Sequence, residues 1–149
     1  MNKILFGLVL FVSFTTFAQI SISNTSQATI GEIRKIGFPV ATLEQQITGT
    51  DTSYTLRYRD MQEWDADKYY SIKFKATQPE LQQLYQAFAS VHDEKNLKNK
   101  DYALQITLGN TPITIKNYKY SGVTMCEVRT PNGYFQLTKG QVPKLFGKD

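Results

Sequence analysis

Hydrophobic positions along this chain change period several times, and each change marks a structural element. From Pro79 to Val91, the residues Leu81, Leu84, Tyr85 and Phe88 fall at i, i+3, i+4 and i+7, which is one helical face. Thr77 and Glu80 have capping-box spacing, and Pro79 suits a first turn, where its missing N–H is not needed. A helix over about 79–91 is therefore predicted. The stretch after it, His92 to Asp101, is charged and reads as a surface loop.

Beyond that loop the period drops to two. Leu104, Ile106 and Leu108 alternate with Gln105 and Thr107 before Gly109-Asn110, a two-residue hairpin turn. The turn opposes Ile106 to Ile113 and Leu104 to Ile115, so the apolar residues share one face. A slip of one residue would scatter them. A second hairpin turns at Pro131-Asn132-Gly133, where loops of two or four residues keep Cys126, Val128, Phe135 and Leu137 together. Upstream, Tyr54, Leu56 and Tyr58 alternate with Thr55, Arg57 and Arg59, and Tyr70, Ile72 and Phe74 alternate with Ser71, Lys73 and Lys75. The acidic loop Asp60 to Lys68 joins these two half-buried strands. Val40 to Gln46 is a further strand, turning through Thr48-Gly49-Thr50-Asp51. Residues 29–36 fit either helix or strand, because Ile30, Ile33 and Ile36 have helical spacing. Residues 19–28 are Ser/Thr/Asn/Gln-rich and read as loose.

One pattern spans both halves. Phe74, Thr77, Glu80, Leu81, Leu84 and Tyr85 are echoed by Phe135, Thr138, Gln141, Val142, Leu145 and Phe146. Each set reads as strand, capping threonine, acceptor and helix face, as in a diverged internal repeat. Pro143 limits the second helix to a turn or two. The whole order predicts an α+β fold: an antiparallel β-sheet of meander hairpins, one main helix (79–91) packed on its apolar face, and a short C-terminal helix. In topology alone this resembles duplicated meander-plus-helix folds of exported inhibitory or sensor domains.

The N-terminus has a pattern of another kind. Lys3 precedes the apolar run Ile4 to Val12, and Thr16-Phe17-Ala18 places small residues where signal peptidase cuts. Ile4 to Phe17 is 14 residues, short of the roughly 20 needed to cross a bilayer. Residues 1–18 are thus expected to be a cleavable signal, leaving 19–149 as one small domain in the periplasm or outside the cell, with no membrane span. A single cysteine, Cys126, forbids an intramolecular disulfide.

Charge changes the picture only by its distribution. Residues 19–94 hold seven Lys/Arg and ten Asp/Glu, a net −3, whereas residues 95–149 hold nine and three, a net +6. No run of five basic residues occurs, and an exported protein rarely meets nucleic acid, so no nucleic-acid partner is expected.

Chemistry-bearing residues are sparse. His92, the one histidine, reads as a cation at a helix C-terminus. Cys126 reads as a small core hydrophobe. Asp60, Glu63, Asp65 and Asp67 surround Trp64 without the glycine that a calcium loop of the EF-hand kind requires. Catalytic residues, metal and cofactor are expected to be none. The outer face of the second four strands is more informative, because Lys116, Tyr118, Tyr120, Val123, Met125, Glu127, Arg129 and Tyr134 alternate with the core residues. Interfaces are enriched in Tyr, Met and Arg. Binding is therefore assigned to Tyr118, Tyr120, Met125, Arg129 and Tyr134, with Trp64 as a further anchor, and the partner to a protein, peptide or glycan. The rival functions are a carboxylate-dependent hydrolase using the Asp60–Asp67 loop or Glu127, and an envelope assembly subunit with an unprotected edge strand.

Overall fold

The structure, a computed structural model, describes residues 24–63 and 67–148. The signal assigned to residues 1–18, the start at Gln19, and Trp64 lie outside the described residues. The elements are β1 (Thr25–Lys35), β2 (Phe38–Thr48), β3 (Asp51–Arg59), β4 (Tyr69–Lys75), α1 (Gln78–Ser90), α2 (Glu94–Leu97), β5 (Ala103–Leu108), β6 (Thr111–Tyr120), β7 (Val123–Thr130), β8 (Gly133–Leu137) and α3 (Gln141–Leu145). The fold is α+β, and the expected sheet is realised as two antiparallel meanders, β1-β2-β3-β4 and β5-β6-β7-β8. Among the described residues no helix is long and apolar enough to cross a membrane.

Registers follow the hydrophobic alternation. Ile106 faces Ile113 and Leu104 faces Ile115. Thr130 faces Gly133 across the two-residue loop Pro131-Asn132, which sets Cys126 against Leu137 and Val128 against Phe135. Residues 29–35 resolve as strand, and Ile36 begins the following turn at φ 51°. Residues 25–28, expected to be loose, instead form the first half of β1 and pair with Gln45 to Thr48. Their side chains stay exposed, so backbone pairing and the exposed bond from Gln27 Nε2 to Glu44 Oε2 at 3.3 Å place them, and hydropathy carries no trace of that.

The capping box of α1 forms in both directions, Thr77 N–H to Glu80 Oε2 at 2.6 Å and Glu80 N–H to Thr77 Oγ1 at 3.4 Å. The helix buries Leu81, Leu84 and Phe88. The charged stretch after it is not simply a surface loop, because Glu94–Leu97 makes one helical turn around a buried Asn96. Asn96 donates to Ser90 O at 2.6 Å, and Asn117 of β6 donates to the carbonyls of Asn96 and Asn99 at 2.8 and 2.9 Å. Side-chain amides thus satisfy a backbone that no ladder reaches.

The two halves share one core. Tyr58 of β3 stacks on Phe135 of β8 at 5.1 Å, and its hydroxyl lies 2.6 Å from Thr130 Oγ1. Asp60, buried where β3 ends, accepts N–H groups from Gln62 at 3.0 Å and from Tyr134 at 3.1 Å. Gly133 packs so closely on this carboxylate, at φ 145°, that a Cβ would overlap it. At the other seam, α3 of the second half lies on β1 of the first, where Gly31 admits the carbonyls of Lys144 and Leu145.

Each half is a four-stranded meander followed by a helix, although the N-cap of α3 is Gly140 and not the expected Thr138, whose hydroxyl does not cap the helix. Thr138 N–H donates to Gln141 Oε1 at 2.9 Å, the counterpart of the Thr77–Glu80 bond. The equivalent rings Tyr85 and Phe146 meet each other edge to face at 5.5 Å.

Candidate functional site

The outer face of the second sheet is ordered in cross-strand rows. Arg129 lies opposite Tyr134, Lys116 opposite Glu127 and Glu127 opposite Gln136, then Tyr118 opposite Met125 and Tyr120 opposite Val123. β5 ends level with Lys116, and β8 ends level with Cys126. Residues 117–125 therefore leave the four-stranded sheet as a two-stranded ribbon. The turns at the other end of these strands abut the first sheet, Gly109 against Lys73 O and the Pro131-Asn132 turn against Asp60. The ribbon points away from that contact.

This geometry separates the predicted binding residues into two groups. On the ribbon, Tyr118 is 39 % exposed, Tyr120 67 % and Val123 54 %, with Met125 half-buried beside them. Among the described residues no strand lies beside this length of β6 or β7. At the other end, Tyr134 is half-buried under the Arg129 guanidinium, 4.8 Å from its ring centre. The continuous Tyr/Met/Arg platform expected across this face is thus interrupted, and Trp64 is outside the described residues.

Glu127 is what interrupts it. Its position in the alternation predicts a solvated carboxylate, yet it is 1 % exposed. Lys116 and Arg129 bring their nitrogens to Oε1 at 3.4 and 2.6 Å, and Gln136 donates to Oε2 at 2.8 Å. The side chains of the neighbouring strands close over it, and their positive charge compensates the loss of water. Both oxygens are occupied by this structural role.

The other titratable groups are dispersed. The basic residues of β3 and β4 are staggered: Arg57 faces Ser71, and Lys73 and Lys75 face Thr55 and Ser53. Like charges are therefore not opposed, and Arg59 pairs with Asp67 at 2.7 Å while Lys75 pairs with Asp51 at 2.9 Å. In the acidic loop, Asp60 turns inward, Asp67 goes to Arg59, and Glu63 to Lys68. Among the described residues no three His, Cys, Asp or Glu side chains gather where they could hold a metal. Cys126 is fully buried, and its thiol is pushed up to about 12 by burial and by the neighbouring Glu127 charge. It stays protonated, as a small hydrophobe does.

His92 differs from expectation. It is half-buried, its Nε2 has no hydrogen-bond partner among the described residues, and burial followed by Lys139 lowers its pKa while Asp93 opposes. It is therefore a neutral ring packed at the end of α1, not a cation on the helix dipole. The unfolded chain takes up a proton near the ordinary value of 6.5 and the folded chain only below it. Stability contributed here is present above that value and falls as the pH drops through it toward the folded pKa. Urea midpoints should accordingly decrease from about pH 7.5 to about pH 5.5, and His92→Gln should flatten that slope. Equal slopes in the two proteins would refute it. Asp51 and Glu80, whose pKa values are lowered by Lys75 and by Thr77, act below this window.

Comparison with known protein families, with curated proteins and with solved structures finds no match for this chain. The site rests on its own geometry.

One element of that geometry escaped the sequence reading. A groove of about 310 Å³ lies between α2 and the ribbon, lined by Leu97, Lys98, Lys100, Asn117, Tyr118, Lys119 and Thr124. Its sequence trace is Leu97, a lone apolar residue in a charged stretch, which is 44 % exposed.

Proposed function

We propose that this chain is an exported binding module whose contact surface is the projecting β6–β7 ribbon. The observation that carries the reading is that Tyr118, Tyr120 and Val123 are exposed together on a ribbon that no strand flanks among the described residues. Large aromatic side chains held on a hydrogen-bonded ribbon lose little entropy on contact, and such anchors dominate interface energetics. The periplasm or the extracellular space is the proposed location, on the strength of the charge, apolar run and small-residue site in residues 1–18. The partner class most compatible with an apolar and aromatic tip is a protein or peptide.

The test starts with the protein recovered from the exporting cell, whose intact mass should correspond to a start at Gln19. Replacing Tyr118 and Tyr120 by serine should leave the melting temperature nearly unchanged, because exposed rings contribute little to folding. The same change should weaken capture of a cognate partner by about 2 kcal/mol or more, as loss of an interface anchor does. A lowered melting temperature with unaltered capture would mean that the tyrosines serve the fold.

A further inference from the structure

The groove beside the ribbon has a basic lining. Lys98 at the C-cap of α2, Lys100 of the following loop and Lys119 of β6 line it, and among the described residues no carboxylate does. Lys98 has an exposed partner in Glu94 at 2.7 Å, while Lys100 and Lys119 make no ion pair among the described residues. Leu97 and Tyr118 add apolar lining, and the amide of Asn117 fixes α2 against the ribbon. Uncompensated like charges at one concave place repel one another, and a negative ligand relieves them.

Resting on the reading of the ribbon as a binding surface, we infer that the groove receives an acidic peptide segment of a partner protein, one in which carboxylates alternate with apolar side chains. Charge complementarity requires the carboxylates. Leu97 and Tyr118 require the apolar residues, for which a polyanionic glycan has no counterpart. Carboxylates meet Lys98, Lys100 and Lys119, and apolar side chains lie along Leu97 and Tyr118.

The experiment is fluorescence anisotropy on the complete exported chain with short labelled peptides, one alternating Asp and Leu, one Ser and Leu, and one Asp and Ser, with dextran sulfate as an unlabelled competitor. The Asp/Leu peptide should bind most tightly and lose affinity as salt rises, since exposed charge contacts are screened. Lys100→Ser with Lys119→Ser should weaken it by roughly fivefold and flatten the salt dependence. Both lysines are solvent-exposed, so the variant should fold, and an unchanged melting temperature verifies this. If Ser/Leu binds as well as Asp/Leu and the lysines do not matter, the acidic assignment is overturned and the aromatic ribbon survives. Asp/Ser binding equally, with dextran sulfate displacing all of it, would reduce the groove to non-specific polyanion attraction and overturn the peptide assignment. Failure of the Asp/Leu peptide to bind at any salt concentration overturns it as well.

Discussion

Phe88→Ala should lower the free energy of unfolding by about 3–5 kcal/mol, the range for emptying a large buried aromatic. Phe88 is fully buried on α1, and its ring meets Phe146 edge to face at 5.3 Å. Phe146 in turn meets Tyr85 at 5.5 Å, so the Phe88 ring joins the main helix to the end of α3. Truncation removes apolar area from the core and deprives Phe146 of one of its two aromatic neighbours, a geometry that adds its own contribution to stability. Urea or thermal unfolding checks it. A loss below about 1 kcal/mol would mean that α3 collapses into the space, and the cavity contribution would then be absent.

Gly31→Ala should also destabilise the fold, by about 1–3 kcal/mol or more, because the strain falls on backbone. A methyl group at this position of β1 would overlap the carbonyl oxygens of Lys144 and Leu145. Neither a strand nor a short helix can yield a carbonyl by rotating a side chain, so α3 must lift from the first sheet. The expected signature is a lowered urea midpoint together with faster tryptic cleavage after Lys144, as α3 opens ahead of the rest. An unchanged midpoint and an unchanged cleavage rate would show that the contact is loose.

Elements with strong periodicity were legible in the residues alone. Leu81, Leu84 and Phe88 specify α1, and the alternations around Gly109-Asn110 specify a register that the structure keeps. The early part of β1 was not legible, because an exposed edge strand of Thr, Ser and Gln is held by backbone hydrogen bonds to which hydropathy is blind. The division into two sheets was hidden for a related reason, since alternation says which residues face inward but not which strands pair. For the site, alternation placed Tyr118 and Tyr120 outward correctly. It could not show that β5 and β8 stop short of them, nor that Lys116, Arg129 and Gln136 would fold over Glu127. Outward direction is a property of one strand, whereas exposure depends on the neighbours. His92 was misread on the same ground: its place beside Asp93 and Glu94 implied a cation, and burial decided otherwise.

The seating of α3 on β1 also governs the order in which the molecule can assemble. Gly31 and Leu145 lie at opposite ends of the described chain, so the first sheet gains its helical cover only after the second meander has been made and brought alongside. Contacts between such distant residues close a long loop before they return any stabilisation, which slows folding. Until α3 is seated, the first meander waits without that cover. The Ser/Thr/Gln-rich beginning of β1 and its two register shifts are features that discourage an exposed edge from pairing with another chain during that wait.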